Sequence, residues 1–377
     1  MPDSRRRDGA EPTDPRTTPR TVPDACPGAW RRHDAADGAL ARFRPVGGAV
    51  TGAELRVLAD AAATGGSPLE LTSRGSLQVR GLTAEGADRL AATLSALGGD
   101  AALLDTQGRD VPCSVVASPS GLLDDAARAV ADALRGRTEV PGRLLVALDD
   151  GAGDVAALDG DVTVVDGALV LAGTPTDLTG DPAALALAAV EAFLEVRGSA
   201  WRVAEVGPER VRPGVTGWYR SLSERYQPVT ARHGAGPEIT EVLPRLGEID
   251  APTAAVLADL ADAGATLRVT PWRTVVLREL ADPDDALRRL ADLVETGPSP
   301  WSSLSACVGA PRCARSHTDV RGDLAHAVAT GCAGGLLHAH WVGCSRACGT
   351  PAGPVAVVEG TPGGTYRTTV RAGRVSP

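Results

Sequence analysis

The stretch "LADAAATGGSPLELTSRGSLQVRGL", residues 58–82, returns in altered form as "LADLADAGATLRVTPWRTVVLREL", residues 257–280. Each copy reads as the end of an amphipathic helix, a turn containing Gly, and two extended segments separated near a Thr. Each is followed by a second helical pattern, "TAEGADRLAATLSAL" from Thr83 and "DPDDALRRLADLVE" from Asp282. Both open on capping and acidic residues, which satisfy the free N–H groups of a first helical turn. The order helix, strand, strand, helix defines a small α+β unit, and its recurrence indicates duplication.

A second pair of segments repeats at nearly the same offset. "VVASPSG" (115–121) parallels "CVGAPRC" (307–313), and "VTVVDGALVLAG" (162–173) parallels "VAVVEGTPGGTYRTTV" (355–370). The chain therefore reads A1–B1–A2–B2, with A the α+β unit and B a mixed β/α unit. The expected boundaries are a disordered tail over 1–22, A1 over 23–100, B1 over 101–205, A2 over 206–299 and B2 over 300–377. Two halves related by a pseudo-twofold would enclose a cleft, and ligand sites favour such seams. In this pairing Val115 stands where the second half has Cys307, so the symmetry is broken for chemistry. The segment "DGAGDVAALDGD" (150–161) lacks the alternating ligands and closing Glu of a calcium loop and reads as a turn.

Composition excludes several classes. A length of 377 residues supports two or three ordinary domains. A net charge of −9 argues against nucleic acid as a partner, which would need a basic face. All 38 basic residues are arginine, so no lysine can form a Schiff base or donate a proton. The opening "SRRRDG" has no apolar run after it and predicts no export signal. No stretch approaches the roughly 18 uninterrupted apolar residues of a membrane span. A cytoplasmic protein is the expectation, with its seven cysteines reduced or bound to metal.

Four of those cysteines form two tight pairs, Cys307-x5-Cys313 and Cys344-x3-Cys348, separated by thirty residues. Structural zinc sites use shorter and more regular knuckles, so this spacing fits zinc poorly. Buried cysteines can also be plain small core residues. Four thiolates in loops shaped by Gly309, Pro311, Gly343 and Gly349 suit a [4Fe–4S] cluster best. Cys26, Cys113 and Cys332 read as ordinary small residues.

These motifs carry a resemblance. Cys-x5-Cys and Cys-x3-Cys after the second of two such units resemble the sulfite and nitrite reductase superfamily, built from the same A1–B1–A2–B2 duplication. The resemblance covers nearly the whole chain from about Ala25. It implies an α+β fold with a duplicated ferredoxin-like unit, each copy followed by a mixed β/α unit, in pseudo-twofold arrangement. It also implies that the last cysteine stands next to a sirohaem where one is bound. "LTSRGSLQVRGL" matches the superfamily's Thr-x-Arg-x-x-x-Gln element and places Arg74 and Gln78 toward the active cleft.

"ACPGAWRRHDAADGALARFRPVGG" (25–48), "TPWR" (270–273), "ACVGAPRC" and "HWVGCSRAC" are similar to the precorrin-3B synthase branch of that superfamily, in aerobic cobalamin biosynthesis. That branch implies a monooxygenase with a [4Fe–4S] cluster and a mononuclear non-haem iron. Its substrates are a ring-reduced tetrapyrrole and O2, and its product carries a new hydroxyl and a lactone. The electron donor would be a ferredoxin or an NAD(P)H reductase. Sulfite-reducing members carry a lysine pair where this chain has only Arg143, and an arginine where it has Cys113, with Arg109 nearby. Those losses weaken a sirohaem-dependent sulfite or nitrite reductase, the alternative enzyme; a zinc-bound scaffold is the non-enzymatic one. Arg74, Arg80 and Arg273 are candidates for binding substrate carboxylates in bidentate fashion. His338 and His340 alternate on one strand face and are candidates for the iron or its surroundings, with His317, His33 and Asp37 as further contributors.

Overall fold

The structure, a computed structural model, describes residues 24, 26–98, 103–158, 160–223, 239–333, 338–351 and 353–371. The tail over 1–22 lies outside the described residues. Among those described, eighteen strands form four sheets.

The first sheet has the order β1 (His33–Ala35), β2 (Gly38–Phe43), β5 (Leu77–Leu82), β4 (Leu69–Leu71), β12 (Glu248–Ile249), and the second has β11 (Thr240–Val242), β14 (Val275–Arg278), β13 (Thr266–Val269), β3 (Ala49–Val50). Each therefore holds a strand from the other repeat. β3 leaves the first unit and pairs antiparallel with β13, while β12 leaves the second and pairs with β4. Both exchanged strands follow a tight turn with positive φ at two consecutive residues, Gly47 and Gly48 in one copy, Leu246 and Gly247 in the other. Gly48 cannot be larger, since a Cβ there would sit 2.3 Å from the Val269 carbonyl oxygen.

Four helices complete the pair of A units: α1 (Gly52–Thr64), α2 (Ala84–Leu97), α7 (Ala251–Asp262) and α8 (Pro283–Leu290). Thr51 caps α1 in a full capping box with Glu54, whose buried carboxylate also accepts from the Leu103 N–H at 2.7 Å. Thr83, Asp250 and Asp282 cap α2, α7 and α8. The apolar stripes Leu55, Leu58, Ala62 and Ala254, Leu257, Ala258 meet in one core shared by both sheets. The strand exchange and this shared core make A1 and A2 a single body.

B1 is a five-stranded sheet in the order β10 (Thr174–Thr179), β9 (Ala168–Leu171), β8 (Val162–Val165), β7 (Leu145–Asp149), β6 (Ser114–Ala117), with β6, β7 and β8 parallel. Its buried strands read as near-continuous apolar runs, interrupted by Thr163 and closed by Asp149, as parallel strands covered by helices do. α3 (Asp124–Leu134), α4 (Pro182–Val196), the short α5 (Val203–Val206) and α6 (Pro208–Ser223) pack around its core. Val211 and Val215 of α6 lie fully inside that core, so B1 extends to Ser223 rather than ending at 205. B2 repeats the plan in smaller form: β15 (Leu304–Ala306), β16 (Ala339–Val342) and β17 (Val355–Gly360) parallel, β18 (Tyr366–Arg371) antiparallel, with α9 (Val320–Ala329). The paired hairpins β8–β9 and β17–β18 are the segments that repeat in sequence.

One correspondence shifts. The Ser118 N–H donates to the Leu148 carbonyl at 3.0 Å, and the Cys307 N–H donates to the Trp341 carbonyl at 2.9 Å, the same rung of each parallel ladder. Ser118, not Val115, is thus the structural counterpart of Cys307. No described helix is long and apolar enough to cross a membrane.

Candidate active site

A cavity of about 1180 Å³ opens where the four units meet. That is at or above the roughly 300–1,000 Å³ usual for a small-molecule site. Its wall takes Arg74 from the turn after β4, Arg202 from the start of α5, Trp272 and Arg273 from the turn after β13, Trp301 and Ser305 from around β15, and His338 and Arg371 from B2.

The two turns that aim the arginines share one backbone form. Thr72 N–H bonds to Ser76 O and Gly75 N–H to Thr72 O; Thr270 N–H bonds to Thr274 O and Arg273 N–H to Thr270 O. Arg273 holds φ at 69°, where the first copy has Gly75 at 62°. A side chain in this region costs about 1 kcal/mol, and strained residues gather at working sites. Arg74 is half-buried and its Nη1 donates to the Arg143 carbonyl at 2.7 Å, while burial and the nearby Arg202 lower its pKa. Arg202 is anchored on the buried Asp161 at 2.6 Å. Among the described residues no hydrogen bond or ion pair holds the Arg273 guanidinium, and burial lowers its pKa. Burial, then Arg273, lowers that of His338. The three acids on the wall are already engaged: Glu205 accepts from the Trp201 N–H at 3.2 Å, Glu241 from Trp272 Nε1 at 2.6 Å and from Thr274 Oγ1, and Glu295 from Arg245. With Arg74, Arg202, Arg273 and Arg371 against Glu205, Glu241 and Glu295, the wall carries a small net positive charge beside Trp272 and Trp301, which suits a large, flat polycarboxylate.

The cysteine loops border it. Cys307 and Cys313 follow β15, and Cys344 and Cys348 follow β16, so both pairs leave the same end of two adjacent parallel strands. The His317 N–H bonds to the Gly343 carbonyl at 2.8 Å and ties the two loops together. Cys307 Sγ accepts from the Gly343 N–H at 3.3 Å, and Cys313 and Cys348 are among the charges it feels, though burial is the main cause that raises its pKa. Gly309, at φ 69°, lets its loop pass Val320, whose N would be 2.9 Å from a Cβ. Thr350 and Pro351, two and three residues after the last cysteine, line the cavity.

These features fit a four-sulfur cluster: sulfurs from two interlocked loops, a backbone N–H on one of them, and glycines where bulk would intrude. Among the described residues no three His, Cys, Asp or Glu side chains close around a point as one ion needs, with ligands at about 2.0–2.3 Å. A cluster sets its own iron and sulfide between the thiolates and holds them farther apart.

Other expected site residues lie elsewhere. Gln78 is buried, donates to Glu70 at 2.7 Å and accepts from Arg42 at 2.9 Å. Arg80 is consumed by a two-pronged pair with Asp37, both bonds 2.9 Å. Neither Gln78 nor Arg80 lines the cavity. His340 is fully buried with both ring nitrogens engaged, Nδ1 by Ser305 Oγ and Nε2 by the Cys348 carbonyl, so it has no free nitrogen for iron. His317 and His33 are exposed on separate elements, and Asp37 belongs to Arg80. His338, the other candidate, is exposed on the cavity wall, and among the described residues no two further His, Asp, Glu or Cys side chains gather with it, so the residues present do not fit the expected mononuclear iron. Cys113 is wholly buried, its thiol pushed up to about 12 by burial; Cys332 is exposed; Cys26 packs 3.7 Å from Arg42 and Arg44. Arg109 pairs with Asp105 at the surface. Trp272 lies within the TPWR segment, whereas Arg202, Arg371 and Trp301 carry no local motif and only the fold brings them to the cavity.

Comparisons with known proteins agree with this architecture. Residues 33–97, the first A unit, match the nitrite/sulfite reductase ferredoxin-like half domain. A Sinorhizobium protein named precorrin-3B synthase is 27% identical over 90% of this chain and 81% of its own length. The Mycobacterium tuberculosis NirA protein superimposes with a TM-score of 0.61 at 20% identity, covering 89% of this chain and 74% of that one. The fold is that of the nitrite and sulfite reductases.

Proposed function

We propose that this chain is a precorrin-3B synthase, which uses O2 to hydroxylate precorrin-3A and close a lactone on it. The observation that carries the reading is the cationic, aromatic cavity beside two interlocked cysteine loops, in a chain similar over most of its length to a protein of that name. Arg74 and Arg273, with Arg202 and Arg371, bind the acetate and propionate groups of the macrocycle through paired hydrogen bonds. Trp272 and Trp301 cover apolar parts of the ring and exclude water around the reacting edge. Cys307, Cys313, Cys344 and Cys348 hold a [4Fe–4S] cluster, which when bound supplies single electrons taken from a ferredoxin or an NAD(P)H reductase. No step is assigned to a mononuclear iron, because His340 is already bonded at both nitrogens.

Anaerobic purification followed by a visible spectrum tests the cofactor. Broad iron–sulfur absorption without an intense haem band is expected; a strong haem band would instead indicate a sirohaem-dependent reductase. Zinc without iron would indicate a scaffold. Incubating the reduced protein with precorrin-3A and isotopically labelled O2 should transfer one labelled oxygen to the tetrapyrrole. A product without the label would overturn the monooxygenase reading.

A further inference from the structure

β16 carries His340 into the interior, where the residue has no exposed surface. Its Nδ1 lies 2.8 Å from Ser305 Oγ on the neighbouring β15, and its Nε2 lies 2.9 Å from the Cys348 carbonyl oxygen. A carbonyl oxygen only accepts, which puts the ring proton on Nε2 and makes Nδ1 the acceptor for the Ser305 hydroxyl. One directed chain of two hydrogen bonds therefore runs from the β15–β16 ladder into the loop that ends at Cys348.

That loop has few other ties: Thr350 Oγ1 donates to the Ala347 carbonyl at 2.7 Å, and Ala347 packs against the cluster of Val342, Val355 and Val357. Among the described residues, Cys344–Thr350 makes two backbone bonds within itself, Ala347 N–H to Cys344 O at 3.1 Å and Thr350 N–H to Ala347 O at 3.4 Å. Cys348 and Gly349 are exposed. Gly349 sits at φ 80°, and the place its Cβ would take is 3.6 Å from both Arg273 Nη2 and His340 Cε1. The peptide after Cys348 thus lies between the buried histidine and the cavity arginine.

We infer that His340 is a positioning residue: by pinning the Cys348 carbonyl to the ladder through Ser305, it sets the direction of the Cys348 sulfur. This rests on the cluster reading of the four cysteines. An unpinned loop would leave the sulfur free to swing toward solvent, and a cluster held by three fixed ligands and one loose one loses iron sooner. Partners of metal ligands commonly contribute about 10–100-fold in metal affinity.

The test compares the full-length protein with His340→Gln, His340→Leu and Ser305→Ala after anaerobic reconstitution with iron and sulfide. Iron loss to a chelator, the electron paramagnetic resonance spectrum after dithionite reduction and the midpoint potential are measured, with urea unfolding alongside. Gln keeps an N–H near the Nε2 position and should stay close to wild type. Leu should lose iron about tenfold faster or more, with altered spectrum and potential. Ser305→Ala keeps the ring but frees its tautomer, and should shift the same quantities in the same direction by less. Wild-type iron loss and spectra in Ser305→Ala and His340→Leu would overturn the inference. So would a fall in unfolding stability with unchanged spectra, which marks a plain core histidine. If wild type itself takes up no iron and sulfide, the cluster reading fails first and separately.

Discussion

The two A units present the same face with opposite charge. Glu70 on β4 and Arg268 on β13 occupy equivalent positions two residues before the matched Thr72 and Thr270, and each anchors a different B unit. The first sheet offers Glu70 and Glu248 to Arg312 and Arg321 of B2, with Arg321 2.9 Å from Glu70. The second offers Arg268 and Arg278 to Asp124, the first residue of α3 in B1. B2, which carries the cysteines, therefore docks on the sheet of the first repeat, and B1 docks on that of the second. Docked the other way, arginines would face arginines and acids would face an acid, a cost that discriminates between the two assemblies. Duplication supplied the frame, and a reversal of charge fixes on which sheet the unit with the four paired cysteines docks.

The largest effect is expected from breaking the deeper of these docks. Asp124→Ala leaves Arg268 and Arg278, both more than nine-tenths buried, without their carboxylate, and should cost about 3–5 kcal/mol in urea unfolding. Arg321→Ala removes one of several partners around Glu70, which keeps Gln78 and Arg312, and should cost about 1–3 kcal/mol. Equal losses below about 1 kcal/mol in both would show that the charges do not hold the docks.

The cavity arginines sharpen the comparison next. Arg74→Ala and Arg273→Ala should each weaken binding of uroporphyrin, a polycarboxylate porphyrin probe, by about 10–100-fold in a fluorescence titration. Arg80→Ala breaks the pair with Asp37, so it should lower stability and leave porphyrin binding unchanged. Loss of binding in Arg80→Ala with none in Arg273→Ala would place the ligand beside Asp37, outside the cavity.

The smallest effects separate the two turns. Gly75→Ala should destabilise by about 1 kcal/mol, since Gly75 sits at positive φ, whereas Arg273→Gly should be neutral or stabilising by about as much while losing porphyrin affinity. Thermal unfolding reads both. A destabilised Arg273→Gly would mean that the side chain, rather than the ligand it serves, holds the turn.

Much of this was legible in the sequence, for reasons that can be named. The repeat at 58–82 and 257–280 is long enough for its helix and strand periods to show, and the cysteine spacing and the Thr-x-Arg element are local patterns. The strand exchange was not legible, because β3 and β12 are two residues each and carry no period; only the shared Pro45 and Pro244 with the following glycines hint at it. α6 carries Pro213 inside it, which interrupts a helical pattern, and its residues fell within the expected A2 bounds although Val211 and Val215 pack in the B1 core. Gln78 and Arg80 stand on strand positions the motif does locate, but whether a side chain faces a ligand or a partner such as Glu70 or Asp37 depends on residues remote in sequence. The same remoteness hid Arg202 and Arg371.

The most direct measurement of the central claim is iron and acid-labile sulfide in anaerobically purified wild type beside Cys344→Ser. The account predicts iron and sulfide in equal amounts in the wild type and loss of both in the variant. Equal iron and sulfide in the two proteins, or neither in the wild type, would contradict it.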